Sequence, residues 1–137
     1  MKFPSNVTVA GDTSYRNKKC PKESAEQITL FSEMRKNMPE VGAIAIHVRN
    51  EGKRTWEQAA MQKAEGMVTG ACDVIIPGCP SLVMEIKRKD HTMSKWQPGQ
   101  QEYMEAAANA GSVAVVALGW EAAYQFIEQW WRGNHGE

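Results

Sequence analysis

The run Val113-Ala114-Val115-Val116-Ala117-Leu118 has no polar break and leads straight into an amphipathic stretch over 120–131. A short, β-branched apolar run of this kind reads as a strand buried on both faces, so a layer must cover it on each side. Three further runs read as strands: Ala43-Ile44-Ala45-Ile46-His47-Val48 as a buried one, then Asp73-Val74-Ile75-Ile76 and Leu82-Val83-Met84-Glu85-Ile86-Lys87. The last two are joined through Pro77-Gly78-Cys79-Pro80, turn chemistry that makes them a hairpin. Helical patterns fill the intervals. Residues 21–38 carry Ile28, Phe31, Met34 and Met38 on one stripe, with Pro21 suited to the first turn and Pro39 as the stop. Residues 56–65 form a short helix ended by Gly66, and 98–109 a helix with Pro98 at its start and Gly111 at its end. The order is α-β-(α)-β-β-α-β-α. It predicts an α/β fold with a mixed sheet of about four strands flanked by helices, and a right-handed crossover between 82–87 and 113–118.

Length and charge narrow the function classes without naming one. The chain has 137 residues, enough for one core. Its 16 Lys and Arg balance 16 Asp and Glu, so a nucleic-acid site must be a local patch. Residues 1–20 are expected to be a basic, mobile arm, 21–132 the folded domain and 133–137 a tail. No apolar run approaches the ~18 residues of a membrane span. An odd cysteine count (Cys20, Cys72, Cys79) without C-x-x-C spacing argues against a disulfide framework and for a reducing cytoplasm.

The chemical signal sits on the hairpin. A turn near 77–80 brings position 73 level with 85, so the Asp73 and Glu85 carboxylates converge at one end of the sheet. Alternation puts Glu85 and Lys87 on one face and Ile86 on the other. Acid and lysine at i, i+2 is also an everyday solvent-facing pattern. Two carboxylates and an ammonium beside an apolar hairpin are nevertheless costly to desolvate without a purpose. Carboxylate oxygens suit Mg²⁺ or Mn²⁺, and a neighbouring lysine suits a metal-bound water or a phosphate.

The surroundings add to this. Gly66 and Gly70 precede Asp73 and would let backbone approach a ligand closely. Gln97-Pro98-Gly99-Gln100 sets a glutamine at the start of a helix, and Arg49-Asn50-Glu51-Gly52-Lys53-Arg54 is a basic glycine loop fit to grip phosphates. With Glu23-x-x-x-Gln27, the Asn-x-Gly-Lys-Arg loop at 50–54, Gly66-x-x-x-Gly70-x-x-Asp73, Glu85-Ile86-Lys87 and Pro98-Gly99-Gln100, the chain resembles the small stand-alone VRR-NUC members of the PD-(D/E)XK nuclease superfamily. This type is common in bacteriophages. The likeness runs from about residue 22 to about 128. Cys72 stands where a proline usually precedes the first acid, and the helix start keeps its glutamine without the usual Ser-Pro-x-Gln form. Neither departure removes a ligand.

The resemblance implies a divalent-metal-dependent DNA endonuclease with a PD-(D/E)XK core. Asp73 and Glu85 would bind Mg²⁺ or Mn²⁺ with the Ile86 carbonyl, Lys87 would orient the attacking water, and Gln100 belongs to the same motif set. A helix-1 glutamate completes the acids: Glu23 by position, with Glu26 on the flank of the stripe as the alternative. Branched DNA such as four-way (Holliday) junctions, cut by a homodimer in the cytoplasm (the host's, if phage-encoded), is the implied use. A non-catalytic DNA-binding or regulatory phage protein is the rival. Arg49, Asn50, Lys53 and Arg54 on one loop, and Arg88, Lys89 and Lys95 on another, are the candidate DNA contacts. His47 reads as a core or rim histidine, Cys72 and Cys79 as buried thiols, and the Trp130-Trp131 pair as leaving one ring for a dimer partner.

Overall fold

A computed structural model describes residues 1–49 and 55–135. Its framework is one five-stranded sheet in the order β1-β5-β4-β3-β2, where β1 is Thr8–Ala10, β2 Ile46–His47, β3 Val74–Ile76, β4 Leu82–Lys87 and β5 Val113–Leu118. β3 and β4 are the expected antiparallel hairpin, while β4–β5 and β5–β1 are parallel. The sheet is thus mixed, and β4 lies at its centre.

Alternation along β4 and β5 sorts the two faces. Leu82, Met84 and Ile86 join Val115 and Ala117 under α1 (Glu23–Asn37) and α5 (Trp120–Asn134). Val83, Ala114, Val116 and Leu118 face α4 (Gln100–Asn109), packing on Met104. At ~1.5–3 kcal/mol for each large apolar side chain taken from water, these two cores are the main source of stability. Every residue of β4 is buried, and that includes Glu85 and Lys87. The solvent-facing explanation of the acid–lysine pattern therefore fails.

Five expectations are corrected. The stretch 1–20 is not simply a mobile arm, because Thr8–Ala10 pairs with Val115, Val116 and Ala117 as an extra edge strand and Val7 is buried. The run 43–48 is not a buried strand: it pairs only over Ile46–His47, at the opposite edge, and both residues are exposed. Ile28 is 72% exposed, and the buried stripe of α1 is Leu30, Phe31 and Met34. The first helix begins at Glu23 after an extended Lys22 rather than at Pro21, and α5 runs on through Asn134 into the expected tail. α2 (Pro39–Gly42) precedes β2, and α3 (Trp56–Ala64) lies between β2 and the hairpin. Among the described residues no helix is long and apolar enough to cross a membrane.

Candidate active site

The end of the β3–β4 hairpin and the start of α4 build the site. The register Val74↔Met84 carries Asp73 to the level of Glu85. The ladder stops there, and Asp73 Oδ2 accepts the Ile86 N–H at 2.8 Å. In an extended strand the N–H and C=O of one residue point to the same side, so the Ile86 carbonyl shares that side with Asp73.

Glu85 and Lys87 stand side by side on the α4 face at 0% and 1% exposure. Each buried ion carries a desolvation penalty of several kcal/mol, so its partners decide whether the arrangement holds. Gln100, in the first turn of α4, serves both. Its Oε1 accepts from Lys87 Nζ at 2.9 Å and from the Gln97 N–H at 2.8 Å, and its Nε2 donates to Glu85 Oε1 at 3.1 Å. Two donors on one side and a carboxylate on the other set which way the amide faces. Lys87 Nζ also donates to the Lys95 carbonyl at 2.9 Å, lies 4.0 Å from Glu23 Oε1, and sits over the Trp96 ring.

Among the described residues, no donor reaches the buried Glu85 Oε2. Burial above all, then the adjacent Asp73 carboxyl and more weakly Glu23, push the Glu85 pKa up to about 10 against the pull of Lys87. Cys72, beside Asp73 in the chain, is fully buried, and its thiol is pushed up to about 12 by burial and by Glu85. It is a packing residue, whereas Cys79, expected to be buried as well, is exposed.

The two α1 glutamates separate cleanly. Glu26 is buried and its Oε2 takes the Trp120 N–H at 2.6 Å, satisfying a free donor at the start of α5. Glu23 turns the other way, accepts from Ser94 Oγ at 2.7 Å, and faces Lys87. Ser94, which also accepts the Arg88 N–H at 3.0 Å, was not foreseen; a lone serine in a charged loop carries no sequence signal.

Asp73, Gln100 and Glu23 line a cleft of about 600 Å³ whose other walls are Gln27 and Ile28, His47 and Val48, 69–71, and Gln97 and Pro98. His47 is an exposed rim residue. Its Nδ1 lies 2.9 Å from the Asp73 carbonyl, which carries no proton, so the proton resides on Nδ1 and Nε2 is left free of it or protonated only in the cation. The glycines work differently from the sequence reading. Gly70 (φ +81°) and Gly99 (φ +85°) pack backbone against backbone, and a Cβ on Gly99 would meet the Thr69 carbonyl at 2.7 Å. Gly70 therefore locks the cleft wall to the start of α4 instead of admitting a ligand, and a Cβ added at Gly66 would meet nothing within 4 Å among the described residues.

The cations are less concentrated than expected. Among the described residues, no Lys or Arg lines the cleft. Arg49, Lys89 and Lys95 are exposed, Lys89 lying over the Tyr15 ring at 4.6 Å. Arg88 is not a free phosphate contact: its guanidinium donates to the carbonyls of Lys18, Cys20 and Pro21 and ties that segment to the end of β4. Asp90 and His91, in the same run, are buried around a single helical turn at His91–Met93. Asn50, Lys53 and Arg54 lie outside the described residues. Trp130 is buried with its Nε1 donating to the Pro80 carbonyl, and Trp131 stacks on His135 at 3.7 Å, so neither ring is left bare.

Does this donor set suit a divalent cation? Among the described residues, no three His, Cys, Asp or Glu side chains gather tightly enough to cage an ion alone. A hard cation such as Mg²⁺ does not need a cage. It keeps several waters and is held by one or two carboxylates plus substrate phosphate. Two carboxylates, a carbonyl on the same side and one buried, unpartnered carboxylate oxygen meet that requirement.

No protein-family model matches the chain, and no curated protein does. A solved structure described as "VRR_NUC domain protein" is similar, with a TM-score of 0.66 and 26% identity over 81% of this chain and 88% of that one. The likeness to VRR-NUC domains read from five short motifs is thus joined by a likeness of fold over 81% of the chain.

Proposed function

We propose that the chain is a divalent-metal-dependent DNA endonuclease that hydrolyses phosphodiester bonds, acting as a homodimer on branched DNA such as four-way junctions. The observation that carries the reading is Glu85 Oε2. A central strand of an otherwise apolar core keeps a fully buried carboxylate oxygen that no donor among the described residues reaches, beside Asp73 and Gln100, which line an open cleft. A cation supplies the missing partner.

Asp73 and Glu85 would hold Mg²⁺ or Mn²⁺ with the Ile86 carbonyl, and Glu23 would complete the acidic set. When bound, such an ion polarises a phosphate and acidifies its water. The chain's own residues prepare the rest. Lys87 has three N–H donors, of which the Lys95 carbonyl and Gln100 Oε1 engage two. The third is available toward Glu23, and 4.0 Å is too long for a direct hydrogen bond but suits a bridging water. Lys87 would orient that water toward the phosphorus, and Glu23 would accept its proton as the bond to phosphorus forms. The bond to the 3′ oxygen then breaks and that oxygen takes a proton from solvent water, leaving a 5′-phosphate and a 3′-hydroxyl. Gln100 holds the acid and the lysine in register throughout.

One chain presents one such cleft, so cutting two strands of a junction takes two copies. The test is a titration of Mg²⁺ and Mn²⁺ over linear, flap and four-way junction DNAs, with sedimentation at micromolar protein. Metal-dependent cutting that favours the junction, by a dimer, is expected. Binding without cleavage under every metal would support the non-catalytic rival. Equal cutting of duplex and junction by a monomer would remove the branched-DNA and dimer parts.

A further inference from the structure

Outside the cleft, the residue hardest to explain by folding alone is Trp56, 91% exposed in the first turn of α3. None of α3's residues is buried, yet the helix start is firmly set by reciprocal bonds between Thr55 and Gln58. The chain leaves the sheet for this helix after His47 and Val48 and returns at 69–71, all of which line the cleft. α3 therefore stands on an excursion rooted at both ends in the cleft wall.

The composition of its faces says what could meet it. At about 100° per residue, Lys63 lies within about 20° of Trp56 around the helix, and Ala60 about 40° away. Glu57 and Glu65 fall about 100° and 180° from Trp56, turned off that face. The other exposed apolar side chain of α3, Met61, is about 140° round. The apolar residues thus form no stripe on which a partner helix or a second copy would dock. A bare indole sharing its face with a small residue and an ammonium, and with no acid there, fits a nucleobase with its flanking phosphate.

We infer that Trp56 stacks on an unpaired nucleobase while Lys63 meets the adjoining phosphate, so that the rim favours single-stranded or branch-point DNA over continuous duplex. This rests on the nuclease reading and adds to it the residues that select the substrate. In the full chain, with EDTA to prevent cleavage, binding is measured to a single strand, a continuous duplex and a four-way junction carrying 2-aminopurine at the branch. Trp56→Ala should weaken single-strand and junction binding about 5- to 100-fold and abolish the change in 2-aminopurine fluorescence, with duplex affinity held within about twofold. Trp56→Phe should restore most of the loss. The thermal midpoint should not move, since the ring is exposed. Wild-type-like binding by Trp56→Ala to all three DNAs would overturn the inference while leaving the nuclease reading standing. So would a loss of self-association on sedimentation, which would make Trp56 a contact between copies. Wild-type protein that binds no DNA would sink the nuclease reading and this inference together.

Discussion

The inner end of β4 and the helix α3 are built on opposite principles. At β4, two ionisable side chains, Glu85 and Lys87, are taken wholly out of water, and one glutamine bridges them. On α3 no residue is buried, and a capping box rather than packing sets its first turn. A site that must stabilise charge gains from low dielectric and fixed dipoles, so its residues belong in the core where they cannot relax. A surface that meets a long polymer gains from exposed area and tolerates low local stability.

The comparison predicts that substitutions at β4 are severe and propagate, whereas those on α3 stay local. The largest effect should come from the acids. Asp73→Asn or Glu85→Gln should lower metal-dependent cleavage by ~10³-fold or more, a loss of several kcal/mol of transition-state stabilisation. Glu85→Gln should at the same time stabilise the metal-free fold. The folded Glu85, with a pKa of about 10, keeps a proton that the unfolded chain, near 4.5, has lost at neutral pH. The folded state then binds more protons between those values, so metal-free stability falls as pH rises from 4.5 toward 10. Denaturant titrations across that range should show the decline in the parent and a flatter profile in Glu85→Gln. A parent whose stability rises over the same window would mean that Glu85 is ionised in the fold.

Next in size, Gln100→Ala leaves Lys87 with one of its two hydrogen-bond acceptors and Glu85 Oε1 without its amide donor, and should cost ~2–4 kcal/mol of global stability in urea unfolding. A cost under ~1 kcal/mol would show that water replaces the amide and that the site is looser than its geometry. The smallest effect belongs to α3. Thr55→Ala should destabilise this helix by ~1 kcal/mol. It should appear as faster amide exchange over 56–64 with an unchanged global unfolding midpoint, because so little of the core rests on that helix. A shift in the global midpoint would erase the contrast between the two regions.

Much of the fold was legible because it rests on local pattern. β4, β5 and the antiparallel hairpin sit where period and turn chemistry put them, and Glu85 and Lys87 share a face because alternation along a strand leaves no choice. β1 was not legible: three residues, Thr8–Ala10, are too few to show a period, and only pairing with β5 makes them a strand. The apolar run at 43–48 misled for a related reason. Apolar character shows that a segment favours burial, not whether the sheet still has an open face for it.

Chain order and side-chain chemistry by themselves determined the α/β architecture and drew Asp73, Glu85 and Lys87 to one end of the hairpin, because those inferences need only periodicity and a turn, whereas Gln100 was added by the family resemblance. Tertiary structure decided what each group is used for. Glu26 serves the start of α5 and leaves Glu23 to face Lys87, Arg88 braces a loop 67–70 residues away in sequence, and Gly70 meets Gly99 rather than a ligand. A charge or a glycine is a capacity written in the sequence. Which partner takes it up is settled by distances between residues far apart along the chain, and those exist only once the layers have packed.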